Sequence, residues 1–124
     1  MNKLLSLILI IFAAPCFGDV YSYNSGHNLL EKCNEYEKTL GDDKNRKKLT
    51  PENVNALGKI NFCAGYVSGV IDQLIDGDLL CIDGITFKEM LLSVNTHLKN
   101  NPNELKNHRY SLTRKALIGK FSCH

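Results

Sequence analysis

The side chains that could do chemistry here are four histidines, five cysteines and a cluster of carboxylates. His27, His97, His108 and His124 never recur at i, i+3 or i+4, so no helix offers a metal a pair of imidazoles. His97 falls beside an apolar stripe and reads as a surface or core-edge side chain. No G-x-S-x-G, phosphate loop or H-E-x-x-H is present. Asp72, Asp76, Asp78 and Asp83 lie close together. As a hydrolytic pair they would need an apolar pocket to raise one pKa, and their neighbours in sequence supply none. They read equally well as solvated surface or as an acidic edge that steers a basic partner. On that edge Asp76, Asp78, Leu79 and Asp83 are the candidate partner-binding residues. No catalytic, cofactor or metal site is expected, so the chain does not read as an enzyme.

What the cysteines do depends on the compartment. Lys3 precedes an apolar run, Leu4–Ala14, that is too short to span a bilayer comfortably. Pro15 breaks the run, and Cys16-Phe17-Gly18 puts small residues at the −3 and −1 positions of a cut after Gly18. That is a secretory signal peptide over residues 1–18. Lipidation at Cys16 is the rival route, which Pro15 directly before it suits poorly. Cleavage leaves one domain, residues 19–124, with Cys33, Cys63, Cys81 and Cys123. An even count in a small exported domain reads as two disulfides, so no thiolate remains for nucleophilic chemistry. Four cysteines allow three pairings, and spacing does not choose among them. The reading adopted is Cys33–Cys63 and Cys81–Cys123, each joining neighbouring helices and contributing roughly 3–4 kcal/mol. Lys+Arg (15) nearly balance Asp+Glu (13), which leaves no basic field for nucleic acid and no acidic tail. After residue 18 no apolar run is long enough for a membrane span.

These side chains hang on a helical pattern. Ser25 or Asn24 can cap a helix from His27 to Leu40, with Leu29, Leu30, Cys33, Tyr36 and Leu40 as its apolar stripe. Gly41 stops it, and Asp42–Lys48 is a solvated charged loop. Thr50-Pro51 starts the next helix, with a hydroxyl N-cap followed by proline where its missing N–H costs nothing. Val54, Leu57, Ile60, Ala64, Val67, Ile71 and Leu74 then recur at steps of three and four, up to Asp76. Gly65 and Gly69 in this helix each cost up to about 1 kcal/mol relative to alanine. Close approach of another helix, within the domain or across a dimer axis, is the expected compensation. Gly77 is placed as the left-handed C′ residue. Thr86-Phe-Lys-Glu89 is a capping box for a third helix, whose buried stripe is Phe87, Met90, Leu91, Val94 and Leu98. A helical turn is expected at Glu104–Lys106. Ser111 caps a last helix with Leu112, Ala116, Leu117 and Phe121 inward. The fold class is all-α: a small four-helix domain stapled by two disulfides.

The order of motifs carries a resemblance. L-L-x-x-C (Leu29–Cys33) precedes C-x-G-Y-x-x-G-V-x-D (Cys63–Asp72). C-I-D-G-I-T-F (Cys81–Phe87), H-L-K-N-N-P (His97–Pro102) and F-S-C (Phe121–Cys123) follow. From Gly26 to Cys123 this resembles the Rap/Tai family of periplasmic immunity proteins of bacterial type VI secretion. The resemblance implies an all-helical exported protein with intrachain disulfides that self-associates as a homodimer. It implies a partner, a cell-wall (peptidoglycan) amidase effector injected by a sibling cell, whose active-site cleft the non-catalytic immunity protein occludes. Phe121-Ser122 departs from the family's usual Phe-Pro. The loop Gly77–Ile85 is the first candidate for the occluding element, and Asn101–Arg109 the second. The alternative function is a small periplasmic chaperone of the acid-stress type, which is also helical, disulfide-bonded and often dimeric.

Overall fold

A computed structural model of the chain describes residues 22–40 and 50–123. The expected signal peptide lies outside the described residues, as does the charged loop after Leu40. Among the described residues four named helices follow one another: α1 (Gly26–Leu40), α2 (Pro51–Asp76), α3 (Phe87–Asn100) and α4 (Arg109–Phe121). A short 3₁₀ turn, Pro102–Glu104, sits between α3 and α4, two residues before the turn read from sequence. The described residues contain no strand, only isolated bridges at Ser25–His108 and Leu80–Ser122.

The helix starts follow side-chain chemistry. Ser25 Oγ accepts from the Asn28 N–H at 3.3 Å and caps α1. Thr50 caps α2 with Pro51 behind it, accepting from the Asn53 N–H. Thr86 and Glu89 complete both halves of a capping box on α3. The α4 cap differs from expectation. Its helix begins at Arg109, and His108 Nδ1 accepts from the Tyr110 N–H at 3.2 Å, so the cap is an imidazole and not Ser111. Any acceptor at the N-cap can satisfy a free N–H. The preference for hydroxyls pointed to Ser111, one turn too late.

The core is one cluster drawn from all four helices and from Leu80 and Leu105 in the connections between them. Leu29, Leu91 and Leu117 are fully buried, each stabilising by roughly 1.5–3 kcal/mol. Burial along α2 begins only at Cys63 and continues through Val67, Val70, Ile71 and Leu74. Val54 and Leu57, expected inside, are 55% and 47% exposed. The 3.6-residue period marks a helix face, but burial also needs a neighbour packed over that face, and at Val54 and Leu57 the face stays exposed. Phe87 likewise sits at the rim at 37% exposure.

Both disulfides of the adopted pairing are present. Cys33–Cys63 bolts α1 to α2 across a separation of 30 residues. Cys81–Cys123 spans 42 residues and joins the α2–α3 connector to the tail after α4, so it is not a helix-to-helix bridge. A separate seam closes the amino-terminal side. The Gly26 N–H donates to Asn107 O (2.9 Å), His27 N–H to Leu105 O (3.0 Å) and Arg109 N–H to Asn24 O (2.7 Å). A Cβ on Gly26 would lie 2.4 Å from Leu112 Cδ1 and 3.0 Å from Leu105 O, so only glycine allows this approach. Fully buried Asn95 on α3 donates to Asn34 Oδ1 (3.5 Å) and to Glu37 Oε2 on α1. Glu37 also pairs with Lys99 at 2.6 Å. Lys99 holds the Glu37 carboxyl below its usual range, with burial opposing and the Asn95 hydrogen bond assisting.

Candidate functional site

The acidic edge is a braced corner. The chain leaves α2 through a Schellman-type turn, in which Leu79 N–H donates to Leu74 O and Asp78 N–H to Ile75 O, both at 2.9 Å. The left-handed residue of that turn is Asp78, at φ 55°. Gly77, expected there, is the C-cap at φ −86°. Aspartate is among the few side chains that enter this region at modest cost. Its backbone thus turns Asp78 and Leu79 off the end of the helix, and both are exposed, Leu79 at 39%. The next residue, Leu80, is buried and bridges to Ser122. The Cys81 N–H donates to Phe121 O at 2.9 Å, beside the Cys81–Cys123 disulfide. Gly84, at φ 76°, turns the chain toward α3. There Glu89 takes the Thr86 N–H and hydroxyl, each at 2.7 Å. Those two hydrogen bonds, the backbone one foremost, hold the Glu89 carboxyl below its usual range.

All the carboxylates read from sequence end up on the outside. Asp72 and Asp76 are exposed on the last turns of α2, and Asp83 is exposed in the connector. No described ion pair involves them. The corner therefore offers Asp76, Asp78, Leu79 and Asp83 on a support anchored at Leu80, Cys81 and Thr86. Solvated carboxylates around an apolar side chain can meet a basic, partly apolar surface; they cannot share a proton in a dry cleft.

The histidines do not converge. Among the described residues no three His, Cys, Asp or Glu side chains gather as a metal site. His97 lines an open groove of about 710 Å³ between α3 and α4, with Leu92, Ser93, Thr96, Ala116 and Gly119. Its Nδ1 lies 3.4 Å from the Asn101 amide. The second candidate segment, Asn101–Arg109, holds the 3₁₀ turn and the seam to α1 rather than a free protrusion. Its Glu104 pairs with Lys115 at 2.7 Å, and that lysine holds the Glu104 carboxyl down.

Gly65 and Gly69 lie on the exposed side of α2. A Cβ at either would meet nothing within 4 Å. Their expected role in helix packing within the domain is therefore corrected: the buried face of α2 is the one carrying Cys63, Val67 and Leu74, and the glycines fall opposite it.

Sequence reading missed Arg109. It is 9% exposed, and its guanidinium lies 4.5 Å from the Tyr66 ring centre and 5.0 Å from those of Phe62 and Tyr23. Phe62 and Tyr66 stack one helical turn apart at 6.0 Å. Burial raises the Tyr66 pKa, and Arg109 pulls against that rise. The i, i+4 aromatic pair was visible in the sequence; the cation that joins it comes from a helix far along the chain.

Fold and surface together define a class: a small, disulfide-stapled helical domain that presents a braced acidic corner. The family model of the Rap1a immunity proteins matches residues 25–123, and the chain belongs to that family. The Rap/Tai resemblance carried by Cys63–Asp72 is thus shown at the level of the family. Immunity families act by binding a partner effector and are not typically enzymatic. No curated protein and no solved structure matches the chain.

Proposed function

We propose that this is a periplasmic immunity protein that occludes the active-site cleft of a peptidoglycan amidase effector of type VI secretion. The match to the Rap1a immunity proteins over residues 25–123 carries the reading. Two disulfides suit an oxidising compartment, and no described helix is long and apolar enough to cross a membrane. The signal peptide over residues 1–18 would direct export. The connector is the plug: it is exposed, anchored at both ends and acidic, so little ordering entropy is lost when it enters a cleft.

The test is affinity for an amidase encoded nearby, measured by calorimetry. Asp78→Asn with Asp83→Lys is chosen because asparagine also accepts the left-handed backbone at position 78. The expected result is binding weaker by about tenfold to a hundredfold. Unchanged affinity would remove the connector from the interface.

The reading includes a homodimer, with Gly65 and Gly69 as the stripe across which two copies of α2 approach. Gly69→Leu has open space in the monomer. It should leave the melting temperature of the isolated domain within a few degrees while abolishing self-association in sedimentation. A dimer that persists in this variant moves the interface elsewhere.

A further inference from the structure

We propose that the Cys81–Cys123 bridge is a thiol-exchange site, opened by a dithiol reductant while Cys33–Cys63 stays closed, and that opening it releases the connector. The consequence for binding rests on the immunity reading; the chemistry stands on the structure alone. Cys33 and Cys63 are both 0% exposed and belong to the core cluster. Cys81 and Cys123 are both exposed. Exchange requires a thiolate to reach a disulfide sulfur, so access sets the rate. The buried bridge must wait for α1 and α2 to part, an opening close to global unfolding, whereas the exposed bridge needs none.

The step balances. A thiolate of the dithiol attacks one Sγ of the bridge, and the other cysteine leaves as a thiolate and takes a proton. The second thiol of the same reagent, once deprotonated, displaces the remaining cysteine and closes a new disulfide. Two electrons pass to the protein, which gains two thiols, and the dithiol departs oxidised.

Release is local because the bridge joins the α2–α3 connector to the residues just after α4, outside any helix. What remains across that contact is the Leu80–Ser122 bridge, to which the Cys81 N–H bond to Phe121 O belongs, together with Leu80 buried in the core and Ile82 and Ile85 packed against it. The capping box at Thr86 and the α1–α2 bolt lie outside it. Reduction therefore loosens the chain around Cys81–Gly84 and the segment after Phe121, with Leu80 and the helix-end turn still in place, without dismantling the helices.

The test treats the oxidised protein with dithiothreitol, traps thiols by alkylation and maps them by peptide mass. Cys81 and Cys123 should be labelled at least about tenfold faster than Cys33 and Cys63. Amide exchange over residues 81–84, the Cys81 N–H above all, should quicken on reduction, while that of Val67–Leu74 holds. Labelling of all four cysteines together, or an unchanged connector, overturns the proposal. The Cys81→Ser/Cys123→Ser variant should fold and reproduce the reduced exchange pattern; failure to fold would show that release is not local. Against the amidase, reduced protein should bind about tenfold more weakly than oxidised; equal binding overturns the link from bridge to plug. If the oxidised protein does not bind at all, the amidase reading fails while the labelling and exchange results still decide the bridge chemistry.

Discussion

Replacing Cys33 and Cys63 together by alanine should lower the unfolding free energy by about 4–5 kcal/mol in urea titration. The cross-link closes a separation of 30 residues, and the loop-entropy model assigns such a closure about 3.6 kcal/mol. Both half-cystines are fully buried, so the lost sulfur atoms also leave space in the core, which adds on the order of 1 kcal/mol. Against a typical domain stability of about 5–15 kcal/mol, one cross-link can be half of the whole. The other bridge supplies the control. It spans 42 residues, and its entropy term is about 4 kcal/mol, slightly larger. Its cysteines are exposed, so their removal leaves no internal void. If chain entropy alone mattered, removing Cys81–Cys123 would cost more. The expectation here is the reverse order. A larger loss at Cys81–Cys123 would show that packing around Cys33 and Cys63 contributes nothing.

Arg109→Ala is the second large effect, at about 2 kcal/mol of lost stability. Three ring contacts at roughly 0.5–1 kcal/mol each favour the arginine, as does its bond to Tyr23 O at 3.3 Å. Burying a guanidinium opposes them: Nε is buried with no hydrogen-bond partner among the described residues, and no described ion pair includes Arg109. The ring contacts and the packed stem outweigh that cost, because alanine would also leave the faces of Tyr23, Phe62 and Tyr66 without a neighbour. Arg109→Lys should recover little, since an ammonium cannot stack flat on several rings. A pH readout separates this role from simple packing. The folded pKa of Tyr66 is raised by burial, so the stability linked to it is complete below the ordinary value of 10.0 and is lost as pH rises through the folded value. Arg109 pulls that value down, so Arg109→Ala should move the Tyr66 phenolate transition to higher pH in an absorbance titration. A transition that falls instead would mean that the guanidinium does not act on Tyr66.

Much of the fold was legible because it is local. Thr50-Pro51 and Thr86–Glu89 begin helices where their own side chains satisfy free N–H groups, and they do so whatever packs above them. The periods of α3 and α4 named Met90, Leu91, Val94, Leu98, Leu112 and Leu117, all buried. The family was legible too, because Cys63–Asp72 combines a half-cystine, an aromatic residue and glycines at fixed spacing. The acidic residues of the candidate site were readable as a cluster, but not their support. That Asp78 rather than Gly77 takes the left-handed position depends on which carbonyls the end of α2 leaves free.

By itself the sequence determined the helical class, the four element starts to within about a turn, and the immunity family. The class and the starts follow from capping chemistry and 3.6-residue periodicity, and the family from the resemblance that the order of motifs carries. Tertiary structure alone decided three things. It left Val54 and Leu57 outside, because burial requires a second surface that periodicity does not report. It turned Gly65 and Gly69 toward solvent, because small residues permit close approach without supplying a neighbour. And it set one disulfide in the core and the other on the acidic corner, because the depth of a bridge depends on what packs over it, and that covering comes from residues distant in the chain.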